Sequence, residues 1–326
     1  MAPPRRPPQR SSRRAGRRRL ALLVSVVVLV TVALITFSGI TSSANGGASN
    51  RSGTNGTPLD PEAFATGSCI AYPPTSGDRG QTVFLDAGHG GIDPGAVGTT
   101  ESGATVEEAI ETLPVELDAM AILRADGFRV VVSRTTASTV TRLSAADVTD
   151  NTLTFAGAHD DVAARDQCAN DAKAQALVGI YYDAGATTQN AGSIAAYDPD
   201  RPFAAKNLRL ATLMQNDVLA DMNAQGWAIP NDGVQTDEQL GSLDGDPSDG
   251  GLAEQAAAYN HLLLLGPAAP GYFSTPSTMP GTVIEPLYIT DPFEGSIAAS
   301  AKGQSVIAQG VATAVEQFLA PPHKHS

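Results

Sequence analysis

The run Val83-Phe-Leu-Asp-Ala-Gly-His-Gly-Gly-Ile-Asp-Pro-Gly-Ala96 carries the fold reading of this chain. Apolar residues lead into Asp86, glycines then flank a lone histidine, His89, and a Pro-Gly turn closes the stretch. That pattern predicts a buried strand ending in a loop that presents one imidazole at the carboxyl edge of a sheet. Open α/β sheets place their ligands at that edge. The glycines let the backbone turn sharply and approach whatever the imidazole touches.

Downstream, strand and helix patterns alternate. Strands are expected at Thr82–Asp86, Phe128–Ser133, Leu177–Tyr182, Ser193–Tyr197, Leu262–Leu265 and Thr282–Ile284. Helices are expected at Val106–Asp126, Asp161–Ala174, Ala204–Met222 and Ala301–Leu319, the first interrupted by Pro114 and stopped by Gly127. Thr135–Ala158 and the acidic, glycine-rich Gly226–Gly251 read as loops. Repeated βα units predict one α/β domain over residues 80–320. Its sheet is expected to be twisted and largely parallel, flanked by helices on both faces. Residues 321–326 read as a tail.

The amino-terminal end has a different character. Residues 1–19 carry eight arginines and no acid, and read as a basic cytoplasmic tail. Leu20–Ile40 is 21 residues without a charge; at about 1.5 Å per residue a helix of that length spans the roughly 30 Å hydrocarbon core. The upstream arginines orient its amino end inward. Its length favours a transmembrane anchor over a cleaved signal peptide, whose apolar core runs about 7–15 residues; Ser42-Ser-Ala44 is the alternative cleavage site. On either reading the rest is extracytoplasmic. Residues 41–79, rich in Ser, Gly, Asn and Thr, read as a disordered linker.

From Leu20 onward 13 basic residues face 34 acidic ones. So acidic a body excludes nucleic acid as a partner. Two cysteines, Cys69 and Cys168, are too few for a disulfide scaffold but suffice for one bridge outside the cytoplasm.

Two acidic features accompany His89. Glu107-Glu108 opens the first helix, where a dipole-favoured capping role is the ordinary reading. Glu285 follows the buried Thr282-Val-Ile, a costly place for an acid unless it faces a ligand, a partner or water. One His and two Glu at strand and helix ends suit a metal-dependent hydrolase, two of them holding zinc and one acting as base.

Val83–Ala96, the Glu108 helix, Phe128–Arg134, the Arg165…Asn170 helix and Val283-Ile-Glu285 together resemble the zinc-dependent N-acetylmuramoyl-L-alanine amidases, which cut peptidoglycan. The resemblance spans roughly residues 80–319. It implies zinc held by His89, by Glu108 and by a third ligand after a later strand. It also implies Glu285 as catalytic carboxylate, followed by Asp291-Pro292 where the family has Asn-Pro. At the third position this chain has Tyr181, a phenol with a pKa near 10 and a poor zinc ligand at neutral pH. Asp183, two residues on and therefore on the same side of a continuing strand, is the possible substitute; His159 and His261 are the remaining candidates. The resemblance implies a monomeric enzyme acting on peptidoglycan with one zinc ion. The alternative it leaves open is an amidase-fold protein that binds or regulates the wall without turnover.

Overall fold

The computed structural model describes residues 56–240 and 252–321. The segments expected as cytoplasmic tail, membrane anchor and cleavage site lie outside the described residues, as does most of the carboxyl tail. No helix among the described residues is long and apolar enough to cross a membrane.

In chain order the elements are β1 (Thr57–Pro58), β2 (Ser68–Tyr72), β3 (Thr82–Ala87), β4 (Val97–Thr99), β5 (Thr105–Glu107), α1 (Glu108–Ala125), β6 (Arg129–Arg134), β7 (Val148–Thr149), β8 (Thr152–Leu153) and α2 (Phe155–Asp171). There follow β9 (Ala176–Ile180), β10 (Ser193–Tyr197), α3 (Ala204–Ala224), β11 (Asn231–Thr236), α4 (Asp237–Leu240), α5 (Leu252–Tyr259), β12 (Gly281–Glu285), α6 (Pro292–Ala298) and α7 (Ala301–Leu319). Eight strands make one sheet in the order β1-β2-β6-β3-β9-β12-β10-β11.

Its centre, β6-β3-β9-β12, is parallel throughout, while β2 joins β6 and β10 joins β12 antiparallel. The sheet is therefore mixed rather than largely parallel. Strand β3 lies between β6 and β9, and its alternating side chains feed two cores. Val83 and Leu85 pack with α1, α3 and α7 through Val115, Leu123, Met214, Ile307 and Val311. Phe84 faces the other side, with Val131, Leu177, Val283, Ala169 of α2 and Leu264. A strand covered on both faces reads as a continuous apolar run, which is why β3 was legible.

Four further expectations differ from the structure. Residues 56–79, expected as disordered linker, are folded: β1 and β2 extend the sheet, and Cys69 and Ile70 are buried. Strand β2 is too short and too close to a Gly/Ser-rich stretch to show a pattern. Leu262–Leu265, expected as a strand, is a turn in which the amides of Leu265 and Gly266 donate to Leu262 O. Its leucines are buried nonetheless, and burial alone cannot separate a short strand from a turn. Strand β11 arises inside the expected 226–251 loop as a polar edge strand parallel to β10. The expected 135–158 loop holds the β7–β8 hairpin, and α2 begins early, capped by the Thr154 hydroxyl, which accepts from Gly157 N.

Cys69 of β2 and Cys168 of α2 are disulfide-bonded across 99 residues of sequence. The bridge ties the antiparallel edge of the sheet to the helix that carries Arg165. Constraining so long a loop stabilises a fold by roughly 2–5 kcal/mol. Cys69→Ser/Cys168→Ser should accordingly lower the thermal midpoint by about 5–15 °C; an unchanged midpoint would show that the bridge does not form.

Candidate active site

The site is built at the carboxyl ends of β3, β9 and β12. After β3 the backbone turns through Gly88 and enters the left-handed region at His89, φ 58°. A non-glycine residue there is held by its surroundings, and here two buried arginines do the holding. Arg165 Nη1 donates to Ala87 O (2.8 Å) and Arg165 Nη2 to His89 O (2.8 Å). Arg134 donates to Ala87 O, Gly88 O and Ala109 O at 3.1, 3.1 and 2.6 Å.

The charge of Arg165 is matched by Asp86 (2.6 Å) and Asp161 (2.7 Å), all three side chains being almost fully buried. Beneath the loop, Glu116 Oε1 accepts from Ala87 N and from the amide and hydroxyl of Ser133. Burial pushes Glu116 up to about 8, against the pull of Arg134, so at neutral pH it is mostly protonated.

His89 points toward α1. Its Nδ1 lies 2.8 Å from Asp93 Oδ2, and its Nε2 lies 3.2 Å from Glu108 Oε2. Burial disfavours the imidazolium, but the carboxylates of Glu108 and Asp93 outweigh it and raise His89 to about 10. Glu108 is fixed at both oxygens: Ala96 N donates to Oε2 (2.9 Å) and Tyr182 N to Oε1 (2.9 Å). It therefore does not cap the helix; Glu107 is the N-cap residue and makes no side-chain cap bond. Gly95 completes the arrangement, since a Cβ there would come within 2.5 Å of His89 Cδ2 and 2.6 Å of Glu108 Oε2.

Glu285 ends β12 and lines the same cavity, of ≈ 300 Å³, as His89, Glu108 and Tyr181. Its carboxyl is raised well above the usual range, first by burial and then by Asp183, with which it is hydrogen-bonded. The Tyr288 hydroxyl is bonded to the same Asp183. Asp183 is thus a partner of Glu285, and it does not join His89 and Glu108 in a ligand group: no third His, Cys, Asp or Glu among the described residues closes one around that pair.

Tyr181 takes the remaining position without offering a donor. Its hydroxyl donates to Asp86 Oδ2 (3.0 Å), its ring stands edge-on to His89, and burial pushes its phenol well above 10. His159 bonds Asp160 and packs on Tyr272 and Phe273, away from the pair. His261 lines the cavity but engages Asp198 and Asp237.

A family model described as N-acetylmuramoyl-L-alanine amidase matches residues 83–317. The chain belongs to that amidase family. This amidase is accordingly an enzyme that hydrolyses a cell-wall amide. No curated protein matches it in sequence. Among solved structures it is similar to Cwp6 from Clostridium difficile, at 19% identity over 75% of this chain and 30% of that one, with a TM-score of 0.51. It is also similar to the CwlD amidase from Clostridioides difficile, solved in complex with the GerS lipoprotein (17% identity, 73% and 98% covered, TM-score 0.50). The amidase AmiC2 of Nostoc punctiforme matches at 20% identity over 74% and 99%, with a TM-score of 0.48.

The residues that the sequence reading passed over are Asp93, Asp86, Arg134 and Glu116. Asp93 had a signal, since it lies four residues after His89 in the same glycine-rich run. Glu116 had none, being one acid among several on α1. Removing the guanidinium in Arg165→Leu would strand two buried carboxylates, a loss of about 3–5 kcal/mol. The thermal midpoint should fall by roughly 6–20 °C; a change within a degree or two would show that Asp86 and Asp161 do not depend on it.

Proposed function

We propose that this amidase cleaves the bond between N-acetylmuramic acid and L-alanine in peptidoglycan, with zinc held by His89 Nε2 and Glu108 Oε2 and with Glu285 as the general base. The 3.2 Å separation of those two atoms carries the reading. Two donors bound to one tetrahedral zinc at about 2.0–2.2 Å stand about 3.3–3.6 Å apart, just beyond that separation. Asp93 on the far nitrogen of His89 is the outer carboxylate that such a histidine ordinarily has. The fit is to two protein ligands, because Tyr181 faces Asp86.

Bound zinc would supply Lewis acidity, polarising the amide carbonyl and acidifying a water. The chain's own residues do the rest. Arg165 and Arg134 fix the loop that aims His89, and the amides of Ala96 and Tyr182 fix Glu108. Glu285 accepts the proton of the attacking water and delivers it to the departing alanine amine, so that water and amide become a carboxyl and an amine. Asp183 holds Glu285 in place and raises its affinity for that proton. A cation bound at the His89–Glu108 edge would oppose this rise and keep Glu285 available as a base.

The uncharged Leu20–Ile40 segment supports an extracytoplasmic enzyme anchored in the cell membrane, or one secreted after cleavage near Ala44.

Peptide release from purified peptidoglycan by the zinc-loaded full chain tests this reading. Glu285→Gln should lower the rate by roughly 10²–10⁴-fold; retained turnover would remove Glu285 from the mechanism. Asp183→Asn removes a neighbouring negative charge, so the pKa of Glu285 falls. The base form then persists to lower pH, and the acid limb of the pH–rate profile should move down by about a unit. An unmoved limb would separate the two carboxylates. Tyr181→His should tighten zinc binding by more than the ~10–100-fold carried by outer-shell partners, read by competition with a chelating dye; unchanged affinity would mean that position 181 does not face the ion.

A further inference from the structure

His261 stands between two aspartates outside the His89–Glu108 pair. Asp198 follows β10, Asp237 opens α4 and His261 lies just beyond α5. His261 Nδ1 is 3.2 Å from Asp198 Oδ2 and 3.2 Å from Asp237 Oδ2. Both carboxylates are fully buried and the imidazole is 10% exposed. One donor atom from each of the three residues lies within 4.8 Å of the other two.

Two further observations point to a cation ligand. Asp237 Oδ1 is buried with no hydrogen-bond partner, and Asp198 Oδ2 has beside it only the imidazole nitrogen that already bonds Asp237, a costly state for carboxylates. Among the described residues no lysine or arginine lies within 4.0 Å of either aspartate. The nearby Arg201 gives its N–H groups to the carbonyls of Leu265, Gly266 and Ser277. Its guanidinium attracts both carboxylates from a distance but bonds neither. Burial, together with the charge of Asp198, accordingly raises Asp237 to about 6.

We propose that Asp198, Asp237 and His261 form a second metal site, which takes a divalent transition-metal ion of the zinc or manganese class. One imidazole and two carboxylates are a donor set for such ions. The ion would replace the proton that otherwise has to sit among the three groups. Its place in the fold gives it a function: it joins the end of β10, the start of α4 and the turn after α5. Leu240 of α4 and Leu262–Leu264 of that turn line the cavity that holds His89 and Glu285. The second ion therefore sets one wall of that cavity, without joining the hydrolytic chemistry.

Metal content of the full chain, dialysed against Zn²⁺ or Mn²⁺ and measured by elemental analysis, tests the site independently of the catalytic pair. A His89→Ala/Glu108→Gln chain should retain one equivalent of metal. Adding Asp198→Asn/Asp237→Asn should abolish it, weakening the affinity by roughly 100-fold or more, since these are ligands and not outer-shell partners. In the otherwise unaltered chain, Zn²⁺ should raise the thermal midpoint further than it does in Asp198→Asn/Asp237→Asn, a readout that also reveals whether that variant folds. A His89→Ala/Glu108→Gln chain that folds and holds no metal would overturn the second site while leaving the catalytic reading intact. Retention of metal by the quadruple variant would equally overturn the assignment. Metal held at the second site by a chain that never cleaves peptidoglycan would overturn the catalytic reading alone.

Discussion

The structure depends on burying one ion pair, Arg165 with Asp86, under the carboxyl end of β3. Strand β3 is covered on both faces and cannot continue, yet its last carbonyls must find partners away from water. Arg165 donates to Ala87 O and His89 O while neutralising Asp86 and Asp161, and Arg134 donates to Ala87 O and to Gly88 O between them. A pair so deeply buried is weak evidence for stability, since desolvation offsets much of the attraction. Its value lies in geometry: it leaves His89 one conformation, in a backbone region that it would not choose by itself. The Cys69–Cys168 bridge holds the helix that supplies Arg165, so the covalent link and the buried pair support the same loop.

An excess of carboxylates unites the two polar centres. Around His89 stand Asp93 and Glu108, with Glu285 and Asp183 close by; around His261 stand Asp198 and Asp237. In each case carboxylates outnumber the imidazole, and protons are held where they would ordinarily be lost. Such surroundings favour whatever cation can enter. The first centre opens on the cavity with a base beside it, which makes it reactive; the second is nearly closed, which makes it structural.

How much of this was legible follows from where each signal came from. His89, Glu108 and Glu285 were found because strand ends and helix starts are written in apolar runs and glycines, and chemistry-bearing residues stand out there. Asp93 shared the quoted run and could have been found by asking which residue orients the imidazole. Glu116 and Arg134 could not: they are polar residues inside α1 and β6 whose partners, mostly backbone atoms, are brought near only by folding. The mixed character of the sheet came from β2 and β10, short strands whose direction no local pattern encodes. The Asp198–Asp237–His261 group joins three segments spread over more than sixty residues, which no local pattern brings together.

The account rests on His89 and Glu108 holding one ion between them. Crystals of the full chain soaked in zinc and measured on either side of the zinc absorption edge test this directly. The account predicts an anomalous peak between His89 Nε2 and Glu108 Oε2, with the Tyr181 hydroxyl still turned to Asp86. Absence of that peak in crystals of a preparation that cleaves peptidoglycan would contradict it.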